Sequence, residues 1–441
     1  MRTRIQRLIE RLRGEGLGPV LARGASTFLA IHVAGVFIAL GSQVVIARAM
    51  GAEGFGTYVW AYNWLALLTL FCRMGLGTGS LRYVAAFEAR EDWPALHGYL
   101  RIAWRVVLVA SAAVMAAAAC ATLLLGERLG GATQRTLLVA CLVLPVSAFL
   151  QLWSHVLRGF KRVSSSQVPS ELVQPALLGL FALAVPALGL GPLGAPLAMG
   201  LNLGAASAAL AITGIALWRT VPSPVRSAPP QSNTAEWLRT AFPLLVANFL
   251  NVARARVDIL LLGSLAGATA AGIYAPACRV AAVIAFGLQA VNAWVPPLIS
   301  GMHARGDRRG LERLMRLSAR GVFAFTVPLF LAVLLFGDRV LALFGPEFTT
   351  GYRALVILAG GQLVNALVGP VGYLMTMTGR QNAAAWIMGV HLVLGAGLNA
   401  LLIPRYGFEG AAVATALTNT SWNVVMAVAA WRTLRLRATI L

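Results

Sequence analysis

Lysine is almost missing from this chain of 441 residues: Lys161 stands alone, and the Arg-Gly-Phe-Lys-Arg around it lacks the Gly-Lys-Ser/Thr that ends a phosphate-binding loop. Direct use of ATP and a lysine Schiff base are therefore excluded as far as motifs exclude them. Cysteine is scarce too. Cys72, Cys120, Cys141 and Cys278 fall inside apolar runs, no Cys-x-x-Cys spacing occurs, and no histidines cluster. No disulfide, metal or cofactor is expected from that pattern. Charge of either sign is thin, at 12% of residues against 59% hydrophobic, so what the chain has instead is apolar runs of about 20 residues from end to end, the length a membrane-spanning helix needs.

The expected fold class is an all-α polytopic membrane protein. Spans are expected over 25–47, 56–78, 102–125, 137–157, 169–188 and 192–217, then over 238–262, 270–298, 319–337, 352–377, 382–403 and 408–433. The net charge of +21 would suggest nucleic acid in a soluble chain, but the basic residues alternate by loop. Arg2, Arg4, Arg7, Arg11, Arg13 and Arg23 precede the first span; Arg82, Arg90, Arg101, Arg158, Lys161, Arg162, Arg219, Arg226, Arg239, the 305–320 cluster and Arg380 fill even-numbered loops; Arg432, Arg435 and Arg437 follow the last span. By the positive-inside rule both termini face the cytoplasm, and no nucleic-acid partner is expected. The odd-numbered loops hold as acids only Glu53, Glu127, Asp338, Glu347 and Glu409, with no close pair for acid/base catalysis, so these read as caps or orienters of helix ends and not as an enzyme's groups. Ile5, Leu8, Ile9 and Leu12 share one face of an arginine-rich segment, which reads as a helix lying on anionic lipid. A Pro- and Ser-rich stretch over 222–234 reads as a linker. The expected organisation is 1–23 amphipathic segment, 24–218 first six-helix lobe, 219–237 linker, 238–433 second six-helix lobe and 434–441 tail.

The two lobes are repeats. Gly-Ala-x-x-x-Gly-x-Tyr occurs at Gly51 to Tyr58 and at Gly267 to Tyr274, an offset of 267 − 51 = 216, and Gly191 to Ala198 matches Gly407 to Ala414 at 407 − 191 = 216. With six spans per half the repeats enter the membrane from the same side, so they are parallel and related by a pseudo-twofold axis along the membrane normal, an arrangement that in transporters encloses a central cavity.

Once charges near the loops are assigned to them, four arginines are read as lying within spans, Arg73, Arg254, Arg256 and Arg279, and Asp258 joins them. Each costs roughly 2.5–3.5 kcal/mol at a helix centre on insertion scales, so they are expected to face a wet cavity or one another. Arg73 reads equally as a side chain snorkelling to headgroups. Arg254 and Asp258 are four apart and share a face with Asn248 and Asn251, either as a structural pair or as a ligand stripe; Arg256 points elsewhere unless the helix is irregular. A shift of 216 lays Asn248 on His32 and Asp258 on Ser42, so the first lobe is polar at the same level. Gln289 and Asn292 in the eighth span complete the candidate set of Arg254, Arg256, Arg279, Asp258, Asn248, Asn251 and His32; amides in such places also serve as plain interhelical hydrogen bonds. Cations at mid-membrane suit an anionic substrate.

The run Ala47 to Tyr58, then Gly75-Leu76-Gly77, Arg82 to Ala85, Val257 to Gly263, Ala271 to Ala275, Phe344 to Phe348 and Asn399 to Ala412 resembles, in that order, the polysaccharide flippases, the Wzx-like members of the multidrug/oligosaccharidyl-lipid/polysaccharide exporter superfamily. That resemblance implies two six-helix lobes in a bacterial inner membrane, moving an undecaprenyl-diphosphate-linked oligosaccharide from the cytoplasmic to the periplasmic leaflet by alternating access. Membrane lipid, a polymerase and glycosyltransferases of the same pathway are the partners it implies. A cation-coupled exporter of small molecules and a membrane enzyme of glycan assembly are the alternatives. Twelve spans fit better than the fourteen of lipid II flippases.

Overall fold

A computed structural model describes residues 17–434 of the chain, apart from Leu190 and Ser232. The amphipathic segment with Ile5, Leu8, Ile9 and Leu12 and the tail arginines Arg435 and Arg437 lie outside the described residues. Those residues are helical almost throughout, with no strand among them, and they include nine helices long and apolar enough to cross a membrane.

Two of the nine double back, which makes eleven crossings, and the interrupted helices over the expected 238–262 span, outside the nine, supply the twelfth. Helix α1, Leu17–Arg73, is broken by Gly51, whose φ of 69° and ψ of 179° are closed to other residue types, so its two arms are the first and second crossings. Then come α2 (Leu76–Ala89), α3 (Trp93–Leu124), α4 (Gly131–Gly159), α5 (Val163–Ala187) and α6 (Ala195–Thr220). The second half runs through α7 (Thr234–Arg254), α8 (Val257–Leu265), α9 (Gly267–Ile284), α10 (Phe286–Ala304), α11 (Arg308–Ala342), α12 (Tyr352–Val368), α13 (Val371–Met377) and α14 (Gln381–Leu434). Helix α14 doubles back at Gly407, with φ 56° and ψ −134°. Where the sequence pattern implies unbroken seventh, eighth and tenth spans, the chain is interrupted at Ala255–Arg256, at Ala285 and at Gly369–Pro370.

The duplication is written in the backbone. Residues with positive φ recur in pairs: Gly51 and Gly267, Gly191 and Gly407, each 216 apart; Glu91 and Gly306, Gly130 and Gly345, each 215 apart; Lys161 and Gly379, 218 apart. At the Glu91 and Gly306 turns the following Asp performs the same task twice. Asp92 accepts from the Ala95 N–H at 3.1 Å, and Asp307 from the Gly310 N–H at 2.8 Å, each capping the helix that follows.

The two copies of Gly-Ala-x-x-x-Gly-x-Tyr face each other across the pseudo-twofold axis, at the arginine-poor end of the bundle. A Cβ at Gly56 would lie 1.8 Å from the Ala268 carbonyl oxygen, and one at Gly272 would lie 1.9 Å from that of Ala52. Backbone therefore meets backbone with no side chain between. Around this crossing Glu347, on the turn Pro346–Gly351 of the second lobe, accepts from the Ala52 N–H at 2.6 Å, at the start of the second arm of α1. Arg48 Nε donates to the Leu343 carbonyl at 2.6 Å, and the buried rings of Phe55 and Phe348 meet edge to face at 6.0 Å. The lobes are shut against each other here.

At the arginine-rich end the lobes touch differently. The Tyr83 hydroxyl donates to Thr240 Oγ1 at 3.0 Å, Asn248 Nδ2 donates to Thr78 Oγ1 at 2.9 Å, and Trp237 sits at 3% exposure among Tyr83, Phe87 and Tyr99. The stretch between the halves lies against α3, with the Gln231 N–H donating to the Pro94 carbonyl at 3.0 Å and His97 Nδ1 to the Ala228 carbonyl at 2.7 Å. It is a docked strap.

Candidate functional site

Between the lobes, below the shut end, lies a cavity of about 500 Å³. Its second-lobe wall carries Arg256 and Arg279; its first-lobe wall carries His32, Glu171 and Gln174.

Arg256 reaches the cavity because the helix stops. Ala255 and Arg256 separate α7 from α8, and Arg256 itself has φ −134° and ψ −10°. Its Nη1 donates to Asn63 Oδ1 at 2.6 Å, across the lobes, while Asn63 Nδ2 donates to the Val59 carbonyl at 2.8 Å. The expected common face of Arg254 and Asp258 is not formed, since the interruption falls between them. Arg279, on α9, is exposed to the cavity and makes no hydrogen bond or ion pair among the described residues. It is the cation most available to an anionic group.

The opposite wall is built on a distorted helix. Residues Val168–Val173 are wound as a π-helix, a form that recurs at functional sites, and they bring Glu171 against the first arm of α1. Gly35 admits this approach, since a Cβ there would lie 2.7 Å from the Glu171 carbonyl oxygen. The Glu171 carboxylate pairs with His32 Nδ1 at 2.9 Å and accepts from Gln167 Nε2 at 3.2 Å. His32 also hydrogen-bonds Gln289 and lies edge to face with Phe286 at 6.4 Å, so it touches both lobes. Further round, Gln174 Nε2 donates to Asn202 Oδ1 at 3.2 Å.

The structure thus brings His32, Arg256 and Arg279 to one cavity, with Gln289 on His32, and places the other candidates elsewhere. Arg254 Nη1 donates to Asn419 Oδ1 at 3.0 Å, and its guanidinium lies 5.6 Å from the centre of the Trp422 ring, a cation–π contact within the second lobe. Asp258 is buried and accepts from the Tyr274 hydroxyl at 2.9 Å, from Thr415 Oγ1 at 3.2 Å and from the Ile259 N–H at 2.8 Å. From within the first turn of α8 it takes up one N–H of that turn and ties down the tyrosine of the second motif copy; in the first copy the equivalent Ser42 and Tyr58 line the cavity instead. Asn248 is spent on Thr78, Asn251 Nδ2 donates to the Ala247 carbonyl at 2.9 Å, and Asn292 Oδ1 is buried without a partner. Glu171, Asn63 and Gln174 were not singled out by the sequence pattern. Glu171 had a signal, an acid just inside the expected 169–188 span; Asn63 and Gln174 had none beyond being amides in apolar runs.

The architecture is that of a known transporter class. An inward-facing multidrug resistance MATE family transporter of the MOP superfamily superposes with a TM-score of 0.73 over 93% of this chain and 98% of its own, at 15% identity. A lipid II flippase in an inward closed conformation superposes with a TM-score of 0.68 over 91% of this chain and 87% of its own, at 10% identity. These likenesses establish the fold. In sequence, the chain is 29% identical over 163 residues to a probable low-salt glycan biosynthesis flippase of Haloferax volcanii, an alignment covering 37% of this chain and 34% of that relative's length. Over residues 21–303, well beyond half its length, the chain matches the family described as "Polysaccharide biosynthesis protein", and to that family this multi-pass membrane protein belongs.

Proposed function

We propose that this protein is a flippase that carries an undecaprenyl-diphosphate-linked oligosaccharide from the cytoplasmic to the periplasmic leaflet by alternating access, for the synthesis of a cell-surface polysaccharide. The observation that carries this reading is the pair Arg256 and Arg279 on one wall of the interlobe cavity, with Arg279 free to bond. A guanidinium in a desolvated site matches a diphosphate through short, charge-assisted, paired hydrogen bonds. The amides and hydroxyls of Asn63, Gln174, Tyr58 and Tyr62 on the other walls suit sugar hydroxyls. The lipid tail stays in the bilayer. Fold likeness to multidrug transporters does not choose the cargo; the sign of the cavity's unpaired charge does.

In this mechanism the shut motif pair is the outer seal, the cavity loads from the cytoplasmic side, and binding of the diphosphate neutralises the cationic wall before the seal parts. Membrane lipid surrounds both lobes, and a polymerase and glycosyltransferases of the same pathway act after and before the transfer. The test is genetic and chemical. Deletion of the gene is expected to accumulate a lipid-linked glycan, identified by mass analysis, and Arg279→Ala is expected to fail to clear it at normal expression. Clearance at the wild-type rate by Arg279→Ala, or no accumulation in the deletion strain, overturns the reading.

A further inference from the structure

A second group of cations lies outside the cavity and has no assigned purpose. Arg73, the last residue of α1, is only 9% exposed, so it is not the snorkelling side chain that its position suggests. Its Nε makes only a long 3.5 Å contact with the Thr69 carbonyl of its own helix. A Cβ on Gly77 would lie 3.3 Å from Arg73 Nη1 and 3.5 Å from His155 Nδ1, so those two nitrogens are at most 3.3 + 3.5 = 6.8 Å apart. His155 Nδ1 donates to the Gln151 carbonyl at 2.6 Å, so Nε2 is the nitrogen left over, a donor to an anion when the ring is protonated. One helical turn further along α4, Arg158 has a buried Nε with no partner. Arg158 lies within electrostatic reach of Arg73, His155 and Glu171. The Glu171 carboxylate, however, is engaged by His32 and Gln167, and among the described residues neither arginine forms an ion pair.

Two guanidiniums and an imidazole are thus gathered at one end of the first lobe without a carboxylate between them. A buried charge left unpaired is costly, and the usual remedy is a counterion. Arg73 also borders a narrow crevice at the lobe seam, too tight in this conformation to admit a water molecule, lined by Gly75, Gly77, Thr78, Leu245 and Asn248. Thr78 Oγ1 already accepts from Asn248 there, so its own O–H remains to donate. The groups on Arg73, Arg158 and Thr78 are donors, as an oxyanion requires, and the His155 imidazole joins them once it is protonated. Arg73 lies 21 residues beyond Ala52, roughly 30 Å along the helix from the shut end, which is the thickness of the hydrocarbon core and so the depth of the headgroups.

We propose that Arg73, His155 and Arg158 form an anion site, distinct from the central cavity, that takes a phosphate or diphosphate group at headgroup depth. The group comes either from a membrane lipid or from a free or lipid-linked diphosphate. The proposal stands on the cluster itself and not on the flippase reading.

The test uses the full chain in phosphatidylcholine nanodiscs titrated with inorganic pyrophosphate, and in parallel nanodiscs containing phosphatidylglycerol, with the thermal unfolding midpoint as readout. Stabilisation is expected in at least one arm, beyond that given by sodium chloride at equal ionic strength. A pyrophosphate response assigns a free or lipid-linked diphosphate, and a phosphatidylglycerol response assigns a lipid headgroup. Arg73→Gln and Arg158→Gln are each expected to raise the half-saturating concentration about tenfold, the loss of roughly 1.4 kcal/mol of binding. Arg73→Lys, which keeps the charge, should retain most of the response, and in an Arg279→Gln background, where the cavity's own contact with diphosphate is removed, the response that remains should still depend on Arg73 and Arg158. No response of the wild-type chain above sodium chloride overturns the proposal without any variant having to fold. So does a response that survives Arg73→Gln unchanged, or one lost entirely in the Arg279→Gln background, which would place all the binding in the cavity and leave the proposed function intact.

Discussion

Replacing Gly56 or Gly272 by alanine adds one methyl group at the only place where the two motif copies touch backbone to backbone. The new Cβ atoms would sit 1.8 Å and 1.9 Å from carbonyl oxygens of the other lobe, against a practical limit of 3.0 Å, so the helices must part by at least 3.0 − 1.8 = 1.2 Å or 3.0 − 1.9 = 1.1 Å. The clash exists only while this end is shut, and overpacking of that kind costs about 1–3 kcal/mol. The shut conformation should therefore lose between about fivefold and 150-fold in population relative to one open at this end. Electron–electron distance measurements between spin labels at Glu53 and Ala266, both exposed near the crossing, read this directly in a chain cleared of its four cysteines. The long-distance population should grow in Gly56→Ala and Gly272→Ala. It should not grow in Gly200→Ala, where a Cβ meets nothing within 4 Å. Distance distributions identical in all four proteins would refute the reasoning.

Glu347→Ala removes the carboxylate that caps Ala52 from the other lobe; the loss of such a cap is worth about 0.5–2 kcal/mol, and the same spin-label pair should report partial opening, weaker than that of Gly56→Ala. If the cavity binds diphosphate, Arg279→Gln and Arg256→Gln should each weaken binding of the lipid-linked glycan about 10- to 150-fold, the equivalent of one charge-assisted hydrogen bond, with unchanged expression as the control. Asp258→Ala leaves the Tyr274 hydroxyl and a helix start without their acceptor, and should lower thermal stability by about 1–3 kcal/mol. Most of that effect should vanish in a Tyr274→Phe background if the pair acts as a unit.

Much of the fold was legible because membrane insertion demands long apolar runs and because the repeat left identical residues at its turns. Gly51, Gly191, Gly267 and Gly407 were visible as a register, and each proves to hold a positive φ that other residues resist. The site was less legible. Nothing in Arg254-Ala255-Arg256-Val257 breaks a helix by propensity; the interruption is held by Arg256 bonding Asn63, 193 residues earlier, a partner no local pattern names. Glu171 was readable as an acid inside a span, but its meaning depends on His32, 139 residues away, and on a π-helical turn. Arg73 misled because a position near a helix end says nothing of a neighbour laid over it, here α7, whose Ala241 carbonyl would lie 2.1 Å from a Cβ on Gly75. Periodicity reports which face is greasy; it does not report which distant element covers that face.

The Glu347 carboxylate has a consequence for biogenesis. The helix start at Ala52 is completed by a residue that leaves the ribosome 295 residues later, so at ordinary translation speeds roughly 15–60 s pass before its acceptor exists. Throughout that interval the first lobe must stay in the membrane with an unfilled helix end on the face that will later meet its twin. A chain stopped before Glu347 would keep that end open to solvent, and the cell would have a simple chemical difference by which to tell a finished transporter from a fragment.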